Sequence, residues 1–108
     1  MRIISFSKRW QKLSNPEFTT FRFPRKDEDW GAGEIVQVYY KARSKDRDKL
    51  GEARIIEKEY KPIRGISEDE AIADGFPNAF QMWLWLRETY KPIYLHQKMN
   101  KLTLRWVG

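Results

Sequence analysis

The residues of this chain best suited to chemistry are cations. Lys8, Arg9 and Lys12 share one and a half turns of a short helix predicted over residues 8–13, and Arg22, Arg25 and Lys26 follow on the next strand and loop. Such a cluster neutralises several phosphates of one strand, and the planar arginine fork suits bidentate phosphate contact. Thr20 lies on the same strand face as Arg22, where its hydroxyl can donate or accept a hydrogen bond. An exposed indole beside these cations would stack an unpaired base. Trp10 and Trp30 are the candidates, and Trp30, among acids and glycines in Glu28-Asp29-Trp30-Gly31, is the better one. Trp83 and Trp106 are assigned to the core, the commoner place for so large a ring. A second basic run, Lys41, Arg43, Lys45, Arg47 and Lys49, is interleaved with Asp46 and Asp48 and reads as a self-paired, solvated hairpin tip. Arg54 is a further candidate for lining a cleft.

Other chemistries are poorly served. The chain has no cysteine, which removes disulfides, thiolate metal sites and cysteine nucleophiles. Its one histidine, His96, sits beside Lys98 in a connection and lacks companions for a metal site, so neither metal nor cofactor is expected. Lysine and arginine number 21 against 15 aspartates and glutamates, a net +6. Residues 67–88 alone hold five acids and one base, so the excess positive charge belongs to the rest of the chain. A basic body with one acidic segment draws polyanions to one side. No apolar run approaches the ~18–20 residues of a membrane span, and the N-terminal apolar stretch is too short for a signal peptide. A cytoplasmic monomer is expected.

These residues need elements to position them. The 108 residues fit one domain. Residues 2–6 read as a first strand, and Ser14-Asn15-Pro16 stops the short helix. Phe18 to Phe23 reads as a strand, followed by a charged loop and the Gly31-Ala32-Gly33 turn. Residues 34–43 alternate cleanly, with Val36, Val38 and Tyr40 on one face. Residues 50–60 form a fourth strand, whose alternation around Ala53, Ile55 and Glu57 is less regular. Ser67-Glu68-Asp69-Glu70 matches a capping box at the start of a short helix ending near Asp74-Gly75. Asn78 caps a second helix to about Tyr90, with Phe80, Trp83, Leu84 and Arg87 at helical spacing, widened by Met82 and Leu86. Residues 101–107 close the chain as a strand. Five mainly antiparallel strands with segregated helices predict an α+β fold, and so few strands escape two exposed edges best by closing or partly closing into a barrel.

The order and spacing of several segments resemble the ASCH family, which is built on the PUA-like β-barrel. They are Ile4-Ser5-Phe6, Thr20-Phe21-Arg22, Gly33-Glu34-Ile35-Val36-Gln37-Val38, Gly51-Glu52-Ala53-Arg54-Ile55 and Tyr60-Lys61-Pro62-Ile63. Ala71-Ile72-Ala73-Asp74-Gly75-Phe76, the aromatic helix from Trp83 to Tyr90, and Leu104-Arg105-Trp106-Val107 complete the pattern. The resemblance covers nearly the whole chain and implies a cleft between barrel and helices, on a fold related to RNA-binding and RNA-modifying modules.

One branch of that family hydrolyses acetylated cytidine nucleosides with a lysine, a threonine three residues later and a glutamate in the helical segment. In the matching frame this chain has Glu17, Thr20 and Asp74. Glu17 reverses the charge of the lysine and cannot stabilise an oxyanion, unless Lys8 or Lys12 substitutes. Were Glu17 and Asp74 adjacent in the cleft, their repulsion would raise one pKa for acid–base work or hold Mg²⁺. Otherwise Glu17 is a solvated loop residue and Asp74 ends its helix. The leading expectation is an RNA-binding domain gripping phosphates through Lys8, Arg9, Lys12, Arg22, Arg25 and Lys26, with Thr20 and Trp30 in the cleft. The alternative is a hydrolase acting on a modified nucleoside or on RNA through Thr20 with Glu17 or Asp74.

Overall fold

The structure, a computed structural model, describes residues 1–107. Strand β1 (Ile3–Phe6) is followed by a single 3₁₀ turn (Gln11–Ser14), then by β2 (Glu17–Arg22), β3 (Ile35–Tyr40) and the long β4 (Asp48–Pro62). Helices α1 (Glu68–Asp74) and α2 (Ala79–Thr89) precede β5 (Lys98–Trp106). The strands form one sheet in the order β1-β3-β4-β5-β2, curled into a half-barrel. Three of the four pairings are antiparallel, but β1 runs parallel to β3, with Ile4 opposite Val38.

The curl follows from the side-chain pattern and two irregularities. Ile4 and Phe6, Phe18, Val36 and Val38, Ala53 and Ile55, and Leu102 and Leu104 come from all five strands and meet in one buried cluster. Residues of opposite parity, Phe21 on β2 and Met99 on β5, instead join Ala71, Phe76, Met82 and Leu86 from the helical segment. The register of β4 against β5 slips between Ile55 and Glu57. This bulge accounts for the irregular alternation of β4, and bulges bend and twist the strand that carries them. A second slip between Val38 and Tyr39 lies by Gly51, whose φ of +149° favours glycine and where a Cβ would sit a tight 3.2 Å from the Trp106 ring.

The capping box forms as the sequence predicts: Ser67 Oγ accepts from the Glu70 amide, and the Glu70 carboxylate accepts from the Ser67 amide. Gly75, at φ +117°, ends α1 in the left-handed conformation. Two expectations change. The predicted helix over 8–13 is only the 3₁₀ turn, because Trp10 is extended and Pro16 follows too soon for a longer helix. In α2, Met82 and Leu86 are buried, with Ala79 and Trp83 packed beside them, whereas Phe80 is 63% exposed. Of the predicted face, Met82, Trp83 and Leu86 pack toward the sheet together with Ala79, while Phe80 and Arg87 stay outside, so the buried side is turned from the one the spacing centred on.

Candidate nucleic-acid interface

A half-barrel has a seam, and here the seam separates β1 from β2. Arg22, the last residue of β2, reaches across it: its Nη2 donates to the Ser5 carbonyl of β1 at 3.0 Å, while its Nε donates to Thr20 Oγ1 at 3.1 Å. Between this seam and α2 opens a cleft of about 730 Å³. Its inner end holds Lys12, Thr20, Arg22 and Asp74; Trp10, Phe76, Trp85 and Tyr90 form an aromatic wall; Arg25, Lys41 and Arg43 complete its cationic lining.

Each inner residue is placed by a different element. The 3₁₀ turn tips Lys12 inward, where Nζ donates to Asp74 Oδ1 at 2.8 Å and to the Thr19 carbonyl at 2.7 Å. Asp74 arrives as the last residue of α1. Both are buried, and burial pushes the two toward neutrality: the Lys12 ammonium is lowered and the Asp74 carboxyl raised, although each partner's charge opposes the shift. Burial also lowers half-buried Arg22, against the opposing pull of Tyr90 and Asp74. The inner end thus carries two cations and one carboxylate in surroundings that penalise charge. Arg22 forms no ion pair among the described residues.

The aromatic wall packs on itself. The Trp10 ring lies 5.1 Å from Phe76 and 6.3 Å from Trp85, and Phe76 lies 5.6 Å from Trp85. A Cβ on Gly75 would sit 2.6 Å from Trp10 Cε3, so only glycine lets this indole settle against the end of α1. The loop carrying Arg25 is fixed by Asp29, whose Oδ1 accepts from the Arg25 and Trp30 amides and from Asn100 Nδ2. Its Oδ2 accepts from Lys58 Nζ and Tyr60 Oη. Burial alone would raise the Asp29 carboxyl, but these donors outweigh it and hold the group far below the usual carboxylate range.

The structure separates the six sequence-selected cations. Lys12, Arg22 and Arg25 line the cleft, Lys8 and Arg9 line with Lys12 a second groove beyond Trp10, and exposed Lys26 lines neither. Lys12 is no surface phosphate contact, because Asp74 and Thr19 hold its ammonium inside. Arg9 pairs with Asp48 at 3.0 Å and lies over Tyr40, and Lys8 lies over Trp10. Trp30 is not an exposed aromatic: it is 5% exposed and joins the barrel core, with the Arg2 and Arg25 guanidinium groups 4.4 and 5.3 Å from its ring. Its loop folds back because Asp29 is anchored to β4 and β5. The exposed indole is Trp85, at 37%.

Glu17 and Asp74 do not pair. Glu17 begins β2 opposite Arg105 and accepts from that guanidinium at the surface, while Asp74 is held by Lys12. The alternative surface-loop reading of Glu17 gives the right exposure on a strand. Lys12, not Glu17, is the charged partner of Asp74 at the inner end of the cleft that Thr20 also lines. Lys41 and Arg43, read as part of a solvated tip, instead line the cleft, since Lys41 bonds the Phe6 carbonyl through its amide and turns the chain toward the seam. Arg54 donates to the Gly33 carbonyl at the surface and does not line the cleft. His96 stacks on exposed Tyr94.

Among the described residues, no three His, Asp or Glu side chains gather as metal ligands, and no helix is long and apolar enough to cross a membrane. Comparison with protein-family models, with curated proteins and with solved structures finds no match for the chain.

Proposed function

We propose that this chain is an RNA-binding domain of the ASCH type that takes single-stranded RNA into the cleft between its sheet seam and α2. The observation that carries the reading is the lining of that cleft, where Lys12, Arg22, Arg25, Lys41 and Arg43 face one carboxylate, Asp74, beside an aromatic wall. Lys12 is paired with Asp74 and Arg25 with Asp27 at 2.9 Å, whereas Arg22, Lys41 and Arg43 have no ion-pair partner among the described residues. Unpaired cations favour phosphates, and a half-exposed indole favours a stacked base, the recurring parts of single-strand recognition. Phosphates lie against Arg22, Arg25, Lys41 and Arg43, and a base rests on Trp85.

Fluorescence anisotropy with a short single-stranded RNA of mixed sequence tests this. Four phosphate contacts give a log–log salt slope of about −3, at roughly 0.7 per single-strand phosphate. The double variant R25A/R43A should lower that slope by about 1.4. Full, equally salt-sensitive affinity in this variant would overturn the reading.

A second reading has one specific observation in its favour. Lys12, buried with a lowered pKa, lies with Asp74 and Thr20 at the inner end of the cleft, supplying the lysine that Glu17 does not. In this reading a neutral Lys12 amine takes the proton of the Thr20 hydroxyl as the hydroxyl adds to the acyl carbon of an acetylated cytidine. The amide C–N bond then breaks, the cytidine amine leaves with that proton, and water hydrolyses the acetyl-threonine ester to acetate. Incubation with acetylated cytidine decides between the two. Turnover that disappears in Thr20→Ala and Lys12→Met would replace RNA binding as the function, and the first reading expects none.

A further inference from the structure

The inner end of the cleft has more hydrogen-bond donors than the protein uses. Arg22 employs Nε on Thr20 Oγ1 and Nη2 on the Ser5 carbonyl, and its Nη1 has no protein partner among the described residues. Because Thr20 Oγ1 accepts from Arg22, the hydroxyl proton is left to donate elsewhere. Lys12 spends two of its three donors on Asp74 and Thr19. Arg22, Thr20 and Lys12 therefore converge on the same space with donors to spare, while Asp74, the only acid there, is already engaged. A neutral ligand would leave Arg22 desolvated without a countercharge, which is costly, whereas an anion would relieve it.

The shape of the site narrows the anion. Thr20, Lys12 and Asp74 are 4%, 7% and 7% exposed, so buried side chains floor the inner end. A strand end meets such a floor directly, whereas a strand running along the cleft crosses its outer part. An internal phosphodiester continues in both directions and carries one negative charge. A phosphomonoester continues in one direction and carries nearly two at neutral pH, because its second pKa is about 6. From such an end, the rest of the strand leads outward past Trp85 to Arg25, Lys41 and Arg43.

Resting on the RNA-binding reading above, we propose that the inner end of the cleft receives the terminal phosphomonoester of an RNA strand, held by Arg22 and Thr20 with Lys12 behind them. The domain is then a reader of phosphorylated RNA ends, and stacking on the aromatic wall fixes the nucleotide next to the phosphate.

The test uses one internally labelled RNA in three forms: with a 5′-phosphate, with a 3′-phosphate, and with hydroxyls at both ends. One phosphorylated form should bind at least about tenfold more tightly than the hydroxyl form, equivalent to ~1.4 kcal/mol, and which form does so identifies the end. Inorganic phosphate should compete away that preference. Arg22→Gln should bring the three affinities together at the hydroxyl level, and Thr20→Val should shrink the difference severalfold. Circular dichroism confirms that each variant folds; if Arg22→Gln does not, Thr20→Val decides. Equal binding of all three forms by the native chain overturns the end-recognition proposal and leaves RNA binding standing. A preference that survives both variants also overturns it, by locating the phosphate elsewhere. Failure of every RNA to bind removes both.

Discussion

Replacing Asp74 by asparagine should destabilise the protein in a way that depends on pH. The side chains of Lys12 and Asp74 are 5% and 9% exposed, and their bond is 2.8 Å long. Removing one member of a buried pair strands the other charge, at a typical cost of about 3–5 kcal/mol. That is a large fraction of the roughly 5–15 kcal/mol holding an ordinary domain together. Here the stranded group can escape by losing its proton. Burial already lowers Lys12, and Arg22 lowers it further; Asp74 is what opposes them. In D74N the folded-state pKa of Lys12 falls again, while the unfolded chain keeps its proton until about pH 10.4. Between those values the unfolded state binds more protons, so stability rises with pH by up to about 1.4 kcal/mol per pH unit. The cost of D74N relative to the native chain should therefore be greatest near pH 6 and shrink toward pH 9. Urea midpoints for both proteins across that range measure it. The double variant K12M/D74L, which exchanges the pair for apolar groups, should recover most of the loss. A gap between D74N and the native chain that is constant with pH would refute the reasoning, because it would mean that the Lys12 ammonium remains hydrated.

Further outcomes follow from other contacts. Burial would raise the Glu70 carboxyl, but Lys101 and Lys61 bond it at 2.8 and 2.6 Å and, with the Ser67 amide, hold its pKa at about 2, below its ordinary 4.5. Its folded pKa is depressed, so about 3 kcal/mol of stability is present above pH 5 and lost as pH falls to about 2; urea titrations of Glu70→Gln should show a shallower acid dependence. Gly75→Ala places a methyl 2.6 Å from Trp10 Cε3 at a φ of +117°. It should cost at least about 2 kcal/mol from backbone strain and overpacking together, read as a fall in the urea midpoint. Trp85→Ala should weaken RNA binding by about 1–3 kcal/mol. Because the ring is 37% exposed and packs on Trp10, Phe76 and Tyr90, the variant should also melt at a lower temperature, and anisotropy well below that transition reads the binding loss alone.

Local chemistry determined much of this molecule in advance. The capping box at Ser67, the Asn78 cap and the alternation of β3 act over three or four residues, so their positions can be read from the chain alone. The α+β class follows from the same local patterns, whereas the curl of the sheet also needs the register slips between β3, β4 and β5. Thr20 and Arg22 were legible as cleft residues because a strand's period of two puts them on one face. What depended on distant partners was not legible. Lys12 meets Asp74 across 62 positions of sequence, and nothing near either residue announces the pair. Trp30 is buried because Asp29 beside it bonds Asn100, 71 positions away, and both Lys58 and Tyr60, whereas a loop rich in acids and glycine suggests exposure. Trp85 comes to line the cleft only once α2 has settled which of its sides to bury, a choice made by the sheet beneath it. Sequence spacing governs interactions within a turn or along a strand, but which charges share a cleft is decided by how the elements pack, and packing energy is summed over contacts that no local pattern records.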